Sequence, residues 1–431
     1  GTITDTVNGI SESPAKVWKL GDVLNSTPRI SSWIQLNTYD QIYSDTTYNK
    51  FIRDLNDDFT PKASPVYTNR GMVFTGANDG MLHAFKLGDL GIPNSSHTAG
   101  CTFGSNDKAC LSGTDLGKEM WAFIPKNVLP YLKYLTDTGY CHLYSVDLSP
   151  YIFDASIGAP GTGDVSNNTK DVNSWRTILI GGMRFGGACK PKNVTCSTDT
   201  PDSVCAPAEV SGTSVGFSSY FALDVTDQNN PTLLWEFSDP ALGFTTTSPA
   251  VVRVNAINPI TGNPDKTLNG KWFVVFGSGP TGPISTLQFL GRSDQNLKIF
   301  VLDLKSGAQA TTPIDTGISY AFAGSMINVT HDADLNYSDD VLYISYVKKA
   351  GDGTWTDGGV LRLSTKEDIN PNNWVERTVK DGIGPVTSSI VKLQSTKKGQ
   401  LWLYFGTGRY YFEQFATVDD ADSQRKLYGV L

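Results

Sequence analysis

The residues best suited to chemistry lie in one short acidic segment, Asp332 to Asp340, which reads D-A-D-L-N-Y-S-D-D. Its alternate positions carry oxygen ligands, and these are Asp332, Asp334, Asn336, Ser338 through its backbone carbonyl, and Asp340. Calcium takes six to eight such oxygens, and a loop that offers them at every second residue can surround the ion. The spacing therefore predicts a calcium-binding loop, with water completing the coordination shell.

The segment departs from the helix-loop-helix calcium motif at two positions. That motif needs Gly at position 6 and a bidentate Glu at position 12, where this chain has Tyr337 and Tyr343. The following run, V-L-Y-I-S-Y-V from Val341, alternates as a strand does. We therefore expect a shorter calcium loop built on β-structure. The alternative is a solvated acidic turn, because Asp and Asn favour turns through local hydrogen bonds.

Composition excludes several classes of function. The 431 residues include 42 Gly and 22 Pro, and only 18% are charged, which favours many short strands joined by turns. The net charge of −8 argues against nucleic-acid binding, which needs a basic face. No apolar run is long enough to cross a bilayer, so any contact with a membrane is expected to be indirect. We interpret the chain as part of a larger exported protein.

Six cysteines lie mostly in polar segments, as the disulfides of exported proteins do. Cys101 and Cys110 are the preferred pair, because a bond between them closes a short loop. The remaining four allow three pairings that spacing does not rank, and they are Cys141, Cys189, Cys196 and Cys205. A zinc site is poorly supported, because no C-x-x-C pair occurs and the chain has only four histidines.

A repeated order of short segments runs along most of the chain. Each unit begins with a step into proline that precedes an apolar run, and a second run follows that ends on glycine. A third run alternates as a strand does and ends in Asp or Lys. Some units add a fourth run that contains tryptophan. The steps are Thr27-Pro28, Ser64-Pro65, Ser149-Pro150, Ser248-Pro249 and Pro385. Four short strands per unit, in about five readable units, predict an all-β propeller. A β-sandwich is the alternative, but it does not explain the recurring order.

The domain organisation follows from this pattern. Residues 1–15 are polar and are interpreted as a linker or the remnant of an upstream domain, and residues 16–431 as one propeller domain. Long insertions are expected at about 88–116, 157–173, 188–217 and 255–269, and loops of such length are often functional. The one convincing helical pattern begins at Asn127 and is broken by Pro130.

Several segments together resemble the C-terminal domain of the PilY/PilC family, large proteins associated with the tip of bacterial type IV pili. Besides the acidic loop they are V-F-T-G-A-N-D-G-M-L-H-A-F from Val73, G-K-E-M-W-A-F-I-P from Gly117, W-R-T-I-L-I-G-G-M-R-F-G-G from Trp175, Y-F-A-L-D-V-T-D from Tyr220 and L-Y-F-G-T-G-R-Y from Leu403. The resemblance extends from about Val17 to Leu431.

The resemblance implies a modified seven-bladed β-propeller, related to quinoprotein dehydrogenases, with long loop insertions. It also implies a calcium site on one blade that regulates pilus extension and retraction, with ligands from Asp332, Asp334, Asn336, the Ser338 carbonyl and Asp340. Some family members carry an Arg-Gly-Asp triplet that binds integrin. Here Arg70-Gly71 is followed by Met72, so integrin binding is not implied.

The function that the resemblance implies is that of a non-enzymatic adhesin and pilus biogenesis factor, active in surface attachment and twitching motility. The implied partners are minor pilins at the pilus tip, the upstream N-terminal domain of the same protein, and a host-surface receptor or glycan. The implied location is the fimbrium at the pilus tip, the cell surface or outer membrane, or the secreted fraction.

Two other functions stay open from the sequence. The run D-G-M-L-H-A-F from Asp79 resembles repeats of quinone-dependent dehydrogenases, but the adjacent cysteines common in those enzymes are missing, and a fold does not carry chemistry without its site. A glycan-binding propeller is the other alternative, since many aromatic residues could face a sugar. A sugar-cleaving enzyme would need two spaced carboxylates, and no spacing along the chain singles out such a pair.

Overall fold

The computed structural model describes residues 20–136, 143–187, 215–281, 291–395, 399–409 and 425–431. It also places four short strands, with Thr2–Ile3 paired to Lys16–Val17 and Lys190–Pro191 paired to Cys205–Ala206. Most of the predicted linker over 1–15 lies outside the described residues. So do Cys141, Cys189 and Cys196 and the side chain of Cys205, and their pairing stays open.

Five antiparallel sheets follow one another along the chain, each built from strands in chain order. The first sheet contains Arg29–Ser32, Gly71–Gly76, Leu82–Lys86 and Glu119–Phe123. The second contains Tyr151–Ser156, Trp175–Gly182, Tyr220–Asp224 and Thr232–Phe237. The third contains Ala250–Val254, Lys271–Gly277, Lys298–Asp303 and Ile314–Asp315.

The fourth sheet contains Ala321–Ala323, Val341–Lys348, Asp357–Ser364 and Val375–Asp381, and Thr330–His331 also pairs with Val341–Lys348. The fifth contains Val391–Gln394, Leu401–Gly406 and Leu427–Val430. Two small hairpins lie outside the sheets, Asp89–Gly91 with Cys110–Ser112 and Ala256–Ile257 with Pro264–Asp265. Both hairpins fall in predicted insertions, and Cys101 forms the predicted disulfide with Cys110.

Hydrophobic clusters between successive sheets hold the sheets face to face. Phe74 of the first sheet and Phe221 of the second share one cluster. Tyr220 of the second sheet and Phe276 of the third share another, with ring centroids 4.3 Å apart. A third cluster joins the third, fourth and fifth sheets and includes Val275, Ile344 and Leu403. Stacked four-stranded units of this kind are propeller blades.

The second strands carry uninterrupted apolar runs because their sheets are covered on both sides. In Trp175–Gly182, the consecutive residues Ile178, Leu179 and Ile180 are all fully buried. A sheet with one solvent-exposed face would instead show alternating apolar and polar residues along each strand. The glycine-ended runs of the sequence therefore mark the middle of each blade.

The fifth sheet differs, because only one of its faces is covered. Leu403 and Phe405 are buried in the shared cluster, whereas Val391 and Leu393, which pair with Tyr404 and Trp402, point to the other face. On that face Leu393 is 57% exposed and Leu427 is 80% exposed. The described part of the chain thus contains five blades, in agreement with the five readable units, and the count of seven implied by the resemblance is not reached there.

Two local expectations are wrong. Ser64-Pro65 begins no strand, because the Val66 and Tyr67 amides after it donate to the Asp54 carboxylate and form a turn. The pattern from Asn127 becomes a 3-10 helix, Leu129–Thr136, in keeping with the missing N–H of Pro130.

The helical segment between the first two strands of the first sheet is not predicted from the sequence. It contains the α-helices Tyr39–Ile42 and Thr46–Ile52. The second begins where the Asp45 carboxylate accepts hydrogen bonds from the Thr47 and Tyr48 amides, both at 3.0 Å. Two further 3-10 turns are Val172–Ser174 and Pro371–Asn373. Among the described residues, no helix has the length and apolar character needed to cross a membrane.

Candidate metal site

The acidic loop is the connection of a hairpin in the fourth sheet. Thr330–His331 pairs with the start of Val341–Lys348, His331 opposite Val341, so the chain leaves and re-enters the sheet at neighbouring positions. The Asp340 amide donates to the His331 carbonyl at 2.9 Å and closes the base of the loop. The structure therefore holds the predicted loop on β-structure, as the alternation after Val341 indicates.

Three carboxylates converge inside the loop. Asp332, Asp334 and Asp340 each bring one oxygen within 4.8 Å of the others. Backbone amides orient two of them, since Tyr337 donates to Asp332 at 2.7 Å and Ala333 donates to Asp340 at 2.6 Å. Within the described ranges, no lysine or arginine forms an ion pair with these three groups. An all-oxygen set of negative charge without a protein counter-charge fits a hard divalent cation such as calcium.

The other two predicted ligands are placed differently. The Asn336 amide oxygen accepts a hydrogen bond from the Ser338 amide at 2.7 Å, and its amide nitrogen donates to Asp334 at 3.0 Å. Ligation through the Asn336 oxygen would require this amide to rotate. Ser338 is fully buried, and its hydroxyl accepts from the Asn255 amide at 3.0 Å. Ligation by Asn336 and by the Ser338 carbonyl stays a prediction.

Glu367 is a fourth acidic residue at the site, and sequence reasoning missed it. The Asn336 amide nitrogen donates to its carboxylate at 3.0 Å. Burial raises the pKa of Glu367, and the nearby charges of Asp340 and Asp334 raise it further. Glu367 reaches the loop because Val341 pairs with Ser364, which brings the turn after Ser364 beside Asp340. Only that strand pairing, and no local motif, could have indicated its position.

Tyr337 occupies the position where the helix-loop-helix motif requires glycine. Its φ of 77° lies in the left-handed region, as does the φ of 59° at Leu335. Such a conformation costs a residue other than glycine roughly 1–3 kcal/mol. Contacts of the Tyr337 ring offset that cost, since Tyr43 stacks on it at 4.0 Å and the Arg253 guanidinium lies 3.9 Å from its centroid.

The first strand of the third sheet anchors the loop from one side. The Arg253 guanidinium donates to the Tyr337 carbonyl, and the Asn255 side chain donates to the Asn336 carbonyl at 2.9 Å. The Asp339 carboxylate accepts from the Arg253 amide at 2.8 Å. Burial raises the pKa of Asp339 to about 6. These bonds fix the backbone on which the three carboxylates stand.

The helical segment of the first sheet reaches the loop from the opposite side. The Tyr43 ring stacks on the Tyr337 ring with a centroid distance of 4.0 Å, and the Tyr337 amide in turn donates to the Asp332 carboxylate. Burial raises the pKa of Asp332, and the hydrogen bonds that it accepts from the amides of Tyr337 and Asn336 lower it. Parts of three sheets therefore meet at one acidic loop.

Sequence comparison finds relatives that cover most of this chain. No family model matches the chain. The chain is 26% identical over 443 residues to Type IV pilus biogenesis factor PilY1 of Pseudomonas aeruginosa, an alignment that covers 95% of this chain and 28% of that protein. A PilY1 homolog of Xylella fastidiosa is 24% identical over 348 residues, with 78% of this chain and 19% of that protein covered.

A solved structure agrees with these relatives. The crystal structure of the Pseudomonas aeruginosa PilY1 C-terminal domain covers 93% of this chain and 63% of the solved chain, with a TM-score of 0.53 and 21% identity. The resemblance to the C-terminal domain of the PilY/PilC family is confirmed. The PilY1 C-terminal domain is a β-propeller, so the predicted propeller is confirmed as well. The chain spans 28% of the length of PilY1.

Proposed function

We propose that this chain is a non-enzymatic, calcium-binding domain that serves type IV pilus biogenesis. The observation that carries the proposal is the convergence of Asp332, Asp334 and Asp340 within 4.8 Å in a loop anchored from both sides. The relatives are named as pilus biogenesis factors, which supports this role over a quinone-dependent dehydrogenase. Calcium would be held by those three carboxylates, with Glu367, Asn336 and the Ser338 carbonyl as further oxygen donors.

The role of calcium would be mechanical. An ion held by the loop would tie together the strand ends at Thr330–His331 and Val341–Lys348. It would also fix Asp332, which accepts from the amide of Tyr337, the residue on which Tyr43 stacks. Binding to the folded state alone stabilises that state by about 2.7 kcal/mol at a hundredfold excess over Kd. Pilus extension and retraction would then respond to extracellular calcium, because the affinity of the domain for its partners depends on the shape of this region.

The biological setting follows from the same proposal. The domain would act at the pilus tip or cell surface as an adhesin, with roles in surface attachment and twitching motility. Minor pilins and the upstream N-terminal domain of the same protein would hold it there, and a host-surface receptor or a glycan would be its external ligand.

Calorimetric titration of the purified chain with calcium tests the proposal. The native chain is expected to bind one ion, and Asp334→Asn is expected to weaken binding by more than about tenfold, because affinity follows the charge of the ligand set. Asp352→Asn is the matched control, since Asp352 also lies in a connection between strands of the fourth sheet, where its carboxylate accepts from the Thr354 amide at 2.9 Å. Equal titration curves for the native chain and Asp334→Asn would refute the calcium site.

A cell-based assay tests the biological part. Full-length protein carrying Asp334→Asn is expected to reduce twitching zones in a calcium-dependent manner, whereas Asp352→Asn is expected to leave them unchanged. Both variants must reach the cell surface in equal amounts. If cells with Asp334→Asn show native motility at every calcium concentration, calcium binding by this loop is not required for pilus function.

A further inference from the structure

A cleft adjoins the acidic loop where one edge of each of four sheets converges. Its volume is about 570 Å³, and its walls include Tyr151 of the second sheet, Val251 of the third, His331 of the fourth and Gln394 of the fifth. Three of these residues lie in the chain-first strand of their sheet, and His331 lies in the short strand that pairs with Val341–Lys348 on the same side as the chain-first strand. In a propeller this edge faces the middle of the ring. Such a concave site on a propeller is a common place for a ligand.

Aromatic and aliphatic side chains form much of the cleft wall. Besides Tyr337 of the acidic loop, three tyrosines contribute, Tyr39 and Tyr43 from the helical segment and Tyr151 from the second sheet. Two apolar side chains beside them reach solvent, since Ile42 is 50% exposed and Leu335 is 60% exposed. Tyrosine offers a flat apolar ring and a hydroxyl together, which suits ligands that have both an apolar face and polar edges.

The charged groups of the cleft wall already have partners in the protein. The Arg253 guanidinium donates to the Tyr337 carbonyl, and the Lys392 ammonium donates to the Thr330 carbonyl. The Asp339 carboxylate accepts from the Arg253 amide at 2.8 Å. A charged ligand would also lose its hydration on entering the cleft, and this desolvation is costly where groups are buried. The cleft is therefore suited to an uncharged ligand.

Neutral polar groups remain open for such a ligand. The Asn328 carboxamide accepts from the Tyr151 hydroxyl at 3.4 Å, but its N–H groups donate no hydrogen bond among the described residues. The Gln394 side chain donates to the Gln400 carbonyl at 3.1 Å, and its own carbonyl oxygen accepts no hydrogen bond there. One amide donor and one amide acceptor beside three tyrosines match the hydroxyls and the apolar face of a sugar ring.

We propose that this cleft binds a neutral saccharide of one or two residues, and that calcium in the acidic loop is required for full affinity. The saccharide would place its apolar face against the tyrosines and its hydroxyls toward Asn328 and Gln394. Calcium enters because Asp332 lines the cleft and accepts a hydrogen bond from the Tyr337 amide, and the Tyr337 ring stacks on Tyr43, so an ion on Asp332 would fix one wall. The calcium dependence rests on the function proposed above, whereas the saccharide site does not.

The test uses the full chain on an array of neutral oligosaccharides built from glucose, galactose, mannose and their N-acetyl derivatives. Sialylated and sulfated glycans on the same array report on charged ligands. We expect binding to neutral saccharides in millimolar calcium and binding at least about tenfold weaker in chelator. Binding confined to charged glycans, or no binding to any neutral saccharide, would overturn the proposal.

Blocking the cleft gives the deciding variant. Ile42→Trp adds bulk at the cleft wall, at a side chain that is half exposed and tolerates a larger residue. Ile260→Trp is the matched control, because Ile260 is 92% exposed in the hairpin turn before Pro264 and lies outside the cleft wall. We expect Ile42→Trp to lose saccharide binding and keep calcium binding, and Ile260→Trp to keep both. Equal saccharide affinity in the two variants would refute the location.

A separate arm distinguishes the two proposals. Calcium titration without saccharide tests the metal site alone. If no calcium binds, the calcium dependence is refuted, but saccharide binding that is lost in Ile42→Trp would still support the cleft as the saccharide site. Conversely, Asp334→Asn is expected to lose calcium and to weaken saccharide binding together. Undiminished saccharide affinity in an Asp334→Asn chain that no longer binds calcium would show that the two sites are not coupled.

Discussion

At the scale of single residues, three carboxylates of the acidic loop converge on a backbone that contacts from two other sheets hold in place. The alternation of Asp332, Asp334 and Asp340 predicts their convergence, because a tight hairpin loop turns alternate side chains inward. The left-handed backbone of Tyr337 could not be predicted, since tyrosine rarely adopts it. Tertiary contacts from Tyr43 and Arg253 override the local preference.

Two substitutions of Tyr337 are expected to change the free energy of unfolding in opposite directions. Its hydroxyl is buried and has no hydrogen-bond partner among the described residues, so Tyr337→Phe is expected to leave the free energy of unfolding unchanged or raise it by up to about 1 kcal/mol. Tyr337→Gly relieves the backbone but removes the ring between Tyr43 and Arg253, and is expected to lower the free energy of unfolding by about 2–3 kcal/mol. Urea denaturation in chelator measures both. Greater stability of the glycine variant would show that backbone strain dominates.

Glu367 supports a second prediction at this scale. Glu367→Gln keeps the size of the side chain and removes a charge near Asp334 and Asp340, so calcium affinity is expected to fall by about threefold to tenfold. In chelator the same change is expected to stabilise the protein slightly, because like charges no longer repel. Glu376→Gln, in the strand Val375–Asp381 of the same sheet, is the control and is expected to change neither quantity. Unchanged calcium affinity in Glu367→Gln would place Glu367 outside the coordination shell.

At the scale of elements, His83 connects three segments of the first sheet. Its ring lies 2.6 Å from a Glu119 carboxylate oxygen and 3.1 Å from Asp79. Burial lowers the pKa of His83, but the two carboxylates outweigh burial and raise the pKa above its usual 6.5. Protonated His83 therefore stabilises the folded state below pH 6.5, and this contribution is lost as the pH rises through the raised value.

This pKa shift predicts how thermal stability depends on pH. His83→Gln is expected to lower Tm most at about pH 6, and the difference from the native chain is expected to shrink toward about pH 9 as His83 loses its proton. Thermal unfolding followed by circular dichroism at several pH values measures it. A difference in Tm that is constant over this range would mean that the ring acts through packing and not through its charge.

The elements also show where sequence reasoning succeeds and where it stops. Strand runs such as Leu82–Lys86 and Tyr220–Asp224 were predictable, because burial on both faces imposes an apolar pattern that repeats from blade to blade. The helical segment Tyr39–Ile42 and Thr46–Ile52 was not, since it is short and depends on the Asp45 cap and on tertiary contacts. Tyr39, Ile42 and Tyr43 of the cleft wall come from this segment, so the sequence alone could not have located the cleft.

At the scale of the whole molecule, one face of the fifth sheet is apolar and open. Val391, Leu393 and Leu427 are more than half exposed on or beside strands whose other face is packed. Apolar patches of this kind promote association. The isolated chain is expected to self-associate in a concentration-dependent manner, and the double variant Leu393→Thr and Leu427→Thr is expected to shift it toward monomer in sedimentation experiments. A native chain that stays monomeric at high concentration would contradict this.

The contact between Tyr43 and the acidic loop also bears on the order of folding. The contact joins the first and fourth sheets, which are far apart in the chain, so it forms only after these sheets have come together. Support of the proposed calcium site by Tyr43 therefore belongs to a late stage of folding. Added calcium is expected to leave the refolding rate of the chain nearly unchanged and to slow its unfolding, so that a bound ion would protect the folded domain against forced unfolding.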